Sequence, residues 1–532
     1  MGEKHDYFFK IATQEQEFEQ IHQLNYQTFS MEIPQHQRNE QEKLVDPFHD
    51  QNTYIICIKE NKLIGMIAVR DNRPFSLDRK IGVVEESLPI KAEQLCEIRL
   101  LAVKKEYRNG RVFIGLAQFL AEYCLKKGYD AAVISGTVRE LKLYRQMGFQ
   151  PFSALTGARE AQFQPMYLTR ETFANSLAGR ILQPILSFLP GPVPLTEKVK
   201  QSFCNSPISH RSQSFKEKMD QARTLLCQLV NSHDVQILLG SGTLANEVIG
   251  SQLSLENGQG LILENGEFGR RLAEQASRLG LHFQVVKKEW GQVFSKEEIA
   301  ANITEQTAWI WAVHSETSTG ILNDLNMLKE ISKEFQLSLC LDCISSIGAV
   351  QLDLEGVYLA SGVSGKALRA ITGLSFVFHD HNVRQSANLP KYLDLGVYRE
   401  QNSIPFSHSS NLLEPLLVAL GDVSEETYQK IMETHLFLKN QLTQFGFHLV
   451  SDGPCSPMIL TIELPLGISS LSIGELMSYQ GFQLHFESEY LQKRNWIQMA
   501  CIGDYEQTDL EKMLNLLYKI VNYEQTFQKN LT

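Results

Sequence analysis

One lysine stands in a run of small residues, Ser361-Gly362-Val363-Ser364-Gly365-Lys366-Ala367-Leu368. An ammonium in such surroundings is costly to bury unless it is paired or chemically used. A Schiff base with a carbonyl compound uses it. Upstream, Asp342 ends the apolar run Leu339-Cys340-Leu341 and is followed by Ser345-Ser346-Ile347-Gly348. A carboxylate in that place can pair with a heteroaromatic ring nitrogen, keep it protonated and make the ring a better electron sink. Farther upstream, Gly240-Ser241-Gly242-Thr243 follows a strand-like run and opens a helical one, Leu244 to Leu253. Small residues let the backbone approach an anion, and a helix start offers unpaired N–H groups. Alone, the loop reads as a tight turn. With Asp342 and Lys366 downstream, it reads as a phosphate cradle.

The elements that must position these residues alternate. Strands are expected at Gln236–Leu239, Gly260–Glu264, Phe283–Val286, Ala308–Val313, Ser338–Leu341, Val357–Ser361 and Leu374–Phe378, with helices between several of them. Such alternation predicts a mainly parallel sheet covered on both faces. Residues 1–170 follow a separate logic. Strand-like runs occur at Thr53–Ile58, Leu63–Val69, Glu97–Val103 and Ala131–Ser135, and a helical pattern fills Phe113–Lys127 and ends at Gly128. Residues 171–189 read as a linker. Leu177, Ile181, Ile185 and Leu189 recur every fourth residue, which predicts a turn or two of amphipathic helix before Pro190-Gly191-Pro192. The expected class is α/β, with a first domain over 1–170, the linker, and a second domain over 190–532 with a mainly parallel sheet and a small C-terminal α/β subdomain.

The chain has 532 residues, 43% hydrophobic and 21% charged, which supports more than one globular domain. A formal charge of −11 argues against nucleic-acid binding, which needs clustered Lys and Arg. The nine cysteines are scattered and suggest no disulfide framework. Cys340 and Cys343 form a C-x-x-C, but their setting reads as a buried strand and its end. No second pair follows at zinc spacing, so no metal site is expected. The start, Met1 to Asp6, is polar and shows no signal peptide, and no apolar run approaches the roughly 20 residues of a membrane span. A cytoplasmic enzyme is the expectation.

The second segment resembles the class V, fold type I aminotransferases, enzymes of pyridoxal 5'-phosphate (PLP). The groups nearest in pattern are the alanine–glyoxylate, serine–glyoxylate and 2-aminoethylphosphonate–pyruvate aminotransferases. The likeness starts with Gly191-Pro192 and Ser209-His210-Arg211-Ser212 and continues through the Gly240–Thr243 loop. Asn265-Gly266-Glu267-Phe268-Gly269-Arg270-Arg271, His314-Ser315-Glu316-Thr317-Ser318-Thr319-Gly320 and Ile404-Pro405-Phe406-Ser407-His408 complete it. The resemblance implies that Ser241, Gly242 and Thr243 hold the cofactor phosphate and that Phe268 stacks on its ring. Thr317, with Ser318 as the alternative, would reach its phenolic oxygen. Asp342 falls on the ring-nitrogen position and Lys366 on the Schiff-base position. Ser407 would be lent by a partner subunit, which implies a homodimer. His210 and Arg211 are assigned to the substrate side. Two positions depart from the family pattern: Gly365 stands where Gln or Asn often precedes the lysine, and Gln498 stands where an Arg usually grips the substrate α-carboxylate. A neutral amide cannot form that bidentate ion pair, so Arg494 becomes the candidate replacement.

Residues 1–170 resemble the GNAT acyltransferase fold, an α+β domain, most clearly over 94–152. The strand Glu97–Val103 leads into Lys105-Glu106-Tyr107-Arg108-Asn109-Gly110 and a helix, and Leu143-Tyr144-Arg145-Gln146-Met147-Gly148-Phe149 matches the closing helix and Gly-Phe strand start. The resemblance implies acyl-donor contacts at Leu101 and Val103 and in the loop at Arg108 and Arg111. Tyr144 sits where many members place the acid that protonates the departing thiolate; the competing reading is a helix aromatic packed on the sheet. Arg111 and Phe113 replace usual glycines. The branch that makes acyl-homoserine lactones and long-chain N-acyl amino acids fits better, at Asp46-Pro47-Phe48-His49-Asp50, Gly65 through Arg70 and Glu97-Ile98-Arg99. Some of its members draw acyl groups from acyl carrier protein rather than acyl-CoA. Glu97 is then a candidate base for the amine, or else a solvated strand-end charge.

The function these readings imply is bifunctional. The PLP half would transaminate a small amino acid or amine with a 2-oxo acid, and the N-terminal half would N-acylate an amine from acyl-CoA or acyl carrier protein. The competing expectation is a PLP lyase or decarboxylase with a non-catalytic sensing or docking module.

Overall fold

The computed structural model describes residues 7–529 except 34, 109, 158–161, 177, 180–184 and 452. The chain divides into two compact units: Met1–Leu186 with Glu475–Phe482, and Ser187–Gly474 with Gln483–Thr532.

In the second unit, every strand expected between Gln236 and Phe378 forms. The sheet runs Phe283–Lys287, Gln259–Glu264, Thr307–Val313, Ser338–Asp342, Leu359–Val363, Leu374–His379, Asp234–Leu239. Only Leu374–His379 is antiparallel to its neighbours. The strand expected from Val357 starts at Leu359, because Glu355-Gly356 forms a turn with Gly356 at φ +75°. Side chains alternate between two cores. Ile237, Leu261, Ile310 and Leu339 meet Phe215, Met219 and Leu226 of the helix Gln213–Val230. Leu238, Ile262, Trp311 and Cys340 meet Ala245, Val248 and Ile249 of the helix Gly242–Leu253. Burial on both faces is what runs of Val, Ile and Leu in a parallel sheet require. Gly260 is glycine for packing, since a Cβ there would lie 1.9 Å from the Trp309 indole on the neighbouring strand. Farther along the chain, an antiparallel sheet of His448–Leu449, Ile459–Glu463 and Trp496–Ala500 stands with the helices Glu425–Gln444 and Gln507–Lys529. This is the small C-terminal α/β part expected.

The first unit holds a sheet ordered Phe8–Ile11, Thr53–Lys59, Lys62–Arg70, Leu95–Val103, Ala131–Thr137, Phe163–Thr169, Gln150–Pro151. Leu95–Val103 and Ala131–Thr137 pair in parallel only over Leu95–Glu97 with Ala131–Val133, so their later residues part. Leu100, at φ +53°, marks an irregularity in the same strand. The helix Arg111–Lys127 ends at Gly128, whose φ of +79° suits a residue without Cβ.

In the linker, Ala178 and Gly179 are helical. A short helix covers Arg170–Ala174, whereas Ile185 and Leu189 flank the two-residue strand Leu186–Ser187. Pro190 disfavours helix at Leu189, and the N–H groups of Leu186 and Phe188 donate to the Gly481 and Gln483 carbonyls at 2.8 Å, which holds this stretch extended. Leu177 and Ile181 of the four-residue stripe lie outside the described residues, as does the polar start Met1–Asp6.

Candidate active site

In an open parallel sheet the loops after the strands' C-terminal ends gather along one edge, where ligands bind. Five such loops carry the residues singled out above. Gly240–Thr243 follows Asp234–Leu239, Asn265–Phe268 follows Gln259–Glu264, and His314–Ser318 follows Thr307–Val313. Asp342 ends its own strand, and Ser364–Lys366 follows Leu359–Val363.

Ser241 and Thr243 are exposed at the start of the helix Gly242–Leu253, and the Ser241 side chain does not cap that helix. Their hydroxyls and the free N–H groups together suit a phosphate. A Cβ at Gly242 would come within 2.4 Å of Ile344, so this turn packs tightly against the loop that follows Asp342. Asp342 is 6% exposed. Its Oδ2 accepts from Asn246 Nδ2 at 2.8 Å and its Oδ1 from the Ile344 N–H at 2.9 Å. Burial raises the Asp342 pKa against the pull of these bonds and of Lys366. Burial also lowers the pKa of Lys366; Asp342 opposes that shift and Arg271 adds to it. A buried carboxylate that favours a cationic partner, an amine pushed toward its nucleophilic form and an open helix start are what PLP requires. The residues present fit it.

The hairpin after His314 is fastened by Glu316. This fully buried carboxylate accepts from the N–H groups of Phe268 and Gly269 at 3.1 and 3.0 Å and from the Ser318 hydroxyl. Ser318 Oγ also accepts from the Glu267 N–H at 2.9 Å, so its hydroxyl is committed to the loop. Thr317 Oγ1 has no partner among the described residues, which favours Thr317 over Ser318 as the hydroxyl facing a ligand. Burial pushes the Glu316 pKa from 4.5 up to about 7, against the bonds from Ser318, Gly269 and Phe268. An acid raised by folding destabilises the fold when ionised. Stability should therefore fall as pH rises from about 4.5 through about 7. Glu316→Gln is expected to flatten that window; denaturant midpoints measured across it, parallel in variant and wild type, would contradict this.

Gln498 requires a correction. The sequence placed it at the substrate, in the usual arginine position, but it is fully buried and its amide is saturated by protein groups. Nε2 donates to the Thr317 carbonyl at 2.6 Å and to Thr461 Oγ1 at 2.8 Å. Oε1 lies 2.8 Å from His485 Nδ1 and 3.3 Å from the Tyr490 hydroxyl. Because Nε2 must face acceptors, Oε1 faces donors, which puts the proton of His485 on Nδ1. His485 Nε2 then accepts from Ser488 Oγ at 2.8 Å. Gln498 is thus a brace between the hairpin and the strand Ile459–Glu463. Gln498→Leu is expected to destabilise the protein by at least ~2 kcal/mol, since each buried group left unpaired costs ~1–3 kcal/mol. An unchanged melting temperature would refute the brace. Arg494, the expected substitute, is also occupied: its guanidinium lies 3.5 Å from the Trp290 ring centre and 5.6 Å from that of Trp496.

Arg211 is exposed, and His210 stands close enough to His408 for their charges to interact; burial pushes the His408 pKa down to about 4. Ser407 beside it is exposed. The C-x-x-C cysteines are buried and free, as a strand and its end should be.

In the first unit, the parting strands leave Leu101 and Val103 half-buried. Arg108 donates from Nε to the Val103 carbonyl at 2.8 Å and from Nη2 to Glu32 at 2.7 Å, so it fixes the loop before the helix that Arg111 opens. Glu97 is not a solvated charge. It is 1% exposed and accepts from the Ser76 N–H at 2.8 Å, the Ser76 hydroxyl at 2.6 Å and the Leu77 N–H at 2.9 Å. These bonds clamp the Ser76–Leu77 loop to the strand. Arg99 pairs with Asp46 at 2.9 Å and stands 3.5 Å from Glu97. Tyr144 packs edge-on against Phe149 and reaches Thr137, with burial raising its pKa.

Residues 197–408 match the family model described as aminotransferase class-V. A protein of Anabaena cylindrica called soluble hydrogenase 42 kDa subunit is 31% identical over 313 residues, spanning 55% of this chain and 82% of that protein. The chain belongs to the class V aminotransferase family. The 2-aminoethylphosphonate–pyruvate transaminase of Lysinibacillus sphaericus is 26% identical over 297 residues, 52% of this chain and 81% of that one. An alanine–glyoxylate aminotransferase structure from Nostoc sp. superposes with a TM-score of 0.58 at 26% identity, covering 64% of this chain and 96% of that one. Residues 20–170 match the model described as N-acyl amino acid synthase FeeM. This class V aminotransferase therefore carries an N-acyl amino acid synthase domain at its N-terminal side.

Several residues of the aminotransferase site escaped the sequence reading. Asn246 bonds Asp342 from three positions past Thr243, one helical turn, a spacing that could have suggested it. His485 and Tyr490 come from a segment with no motif, and only the fold brings them to Gln498.

Proposed function

We propose that the protein is a bifunctional enzyme, a PLP-dependent aminotransferase for a small amino donor and a 2-oxo acid joined to an N-acyltransferase. The observation that carries the first half is the convergence of Asp342, Lys366 and the open Gly240–Thr243 helix start on one sheet edge. When bound, PLP supplies the electron sink for bond breaking at the substrate carbon and carries the amino group between half-reactions. Lys366 holds the cofactor and moves the proton. Asp342 keeps the ring nitrogen charged, and Asn246 and the Ile344 N–H aim that carboxylate. Ser241, Gly242 and Thr243 hold the phosphate, Phe268 covers the ring and Thr317 meets its phenolic oxygen. Exposed Ser407 is read as completing the phosphate site of a second copy in a homodimer, with His210 and Arg211 near the substrate entrance.

The second half rests on the parting of Leu95–Val103 from Ala131–Thr137, which leaves backbone free to receive a pantetheine arm from acyl-CoA or acyl carrier protein. Leu101, Val103 and Arg111 line that reading; Tyr144 is the acid for the thiolate, with Glu97 at the amine. A cytoplasmic location suits both donors. The experiment supplies purified full-length protein with amino donors, 2-oxo acids and acyl-CoA or acyl carrier protein, and follows cofactor absorbance and N-acylated product. Cofactor absorbance that responds to no amino donor would sink the aminotransferase half. Absence of acyl transfer from either carrier would sink the other.

A further inference from the structure

Gln498 and Arg494 leave open which cation meets an acidic substrate. The arginines near Phe268 behave differently from one another. Arg270 grips Glu267 with both Nε and Nη2, at 3.0 and 2.7 Å. Arg271 gives only Nε to Glu267, at 3.0 Å, and its terminal nitrogens make no hydrogen bond among the described residues. Its guanidinium lies 5.1 Å from the ring centre of Phe268, one helical turn earlier. That helix start is seated on Glu316, and the next residues of the same hairpin, Thr317 and Ser318, accept from Gln498. Arg271 therefore projects beside the ring at the site edge, held on one side and open on the other. Its charge bears on Lys366, where it adds to the lowering by burial, and on Tyr490.

We propose that Arg271 is the anion-recognition residue of the aminotransferase site, receiving a carboxylate or phosphonate oxyanion borne by the amino donor away from its reacting amine. The proposal rests on the reading of Lys366 as the cofactor lysine. A guanidinium edge suits an oxyanion because two parallel N–H donors match two oxygens. Glu267 fixes the orientation through Nε and leaves the fork end for the ligand. A half-exposed position keeps desolvation modest while the anion enters.

The test uses the full-length protein loaded with PLP and titrated with methylphosphonate, acetate and neutral N-methylacetamide. Binding is read by calorimetry and by the shift in cofactor absorbance. Arg271→Met should weaken oxyanion binding roughly 10–100-fold, the loss expected for a charge-assisted pair. N-methylacetamide binding should be unchanged, and Arg271→Lys should fall between. The tighter of the two oxyanions identifies the donor class. Equal oxyanion binding in wild type and both variants overturns the proposal. If Arg271→Met loads no cofactor, Arg271→Lys decides, since it keeps the charge but not the fork. A wild-type protein that takes up no PLP instead overturns the reading of Lys366, so the two failures are distinguishable.

Discussion

Lys366→Ala should remove the protein's visible absorbance and its borohydride-reducible cofactor adduct, and should abolish amino-group transfer. The lysine amine is the nucleophile that retains the cofactor and the base that moves the substrate proton. Loss of proton transfer alone accounts for about 10²–10⁴-fold in rate. The variant should fold, because Lys366 is a partly buried amine whose pKa is lowered first by burial, so its removal relieves desolvation. Its Cδ and Nζ rest 3.5 Å from the position a Cβ on Gly191 would take, a contact that alanine gives up without a clash. Absorbance and reduction with labelled borohydride, read beside a melting curve, check the result. A covalent adduct retained in Lys366→Ala would place the cofactor elsewhere.

Asp342→Asn should separate binding from chemistry. The amide is nearly isosteric, and Asn246 can adapt to it: Asn246 Oδ1 is buried without a partner, so a flip of that side chain offers an acceptor where Nδ2 now donates. The Ile344 N–H keeps its acceptor in the asparagine oxygen. PLP should therefore stay bound. The ring nitrogen would lose the anion that keeps it protonated, and a preorganised charge of this kind is worth about 10²–10³-fold in kcat. Single-turnover kinetics with saturating amino donor isolate that step. A variant that turns over at the wild-type rate would show that Asp342 acts only as a structural acceptor. Asp342→Glu provides the control, since it keeps the charge and shifts its position.

The sheet and the placement of residues along its edge were legible in the order of the amino acids. Strand after strand between Gln236 and Phe378 was legible because burial on both faces demands unbroken apolar runs, a local signal. Gly240–Thr243, Asp342 and Lys366 were legible because loops after parallel strands carry their chemistry in short contiguous motifs. Contacts between distant segments set what local spacing cannot hold. The stretch between Ile185 and Leu189 is extended, because its backbone pairs with Gly481 and Gln483, nearly three hundred residues on. Gln498 looked like a lost substrate contact; it is a brace, because its partners Thr317, Thr461 and His485 come from three separate segments. Glu97 read either as a base for an amine or as a solvated strand-end charge; it is buried and held by Ser76 and Leu77, which lie some twenty residues upstream. Arg271 was one letter in a motif until its neighbour Arg270 proved to hold Glu267 with two nitrogens and it with only one. A hydrogen-bond partner far away in sequence leaves no periodic trace, so which polar groups are satisfied and which are free for a ligand is settled only by folding.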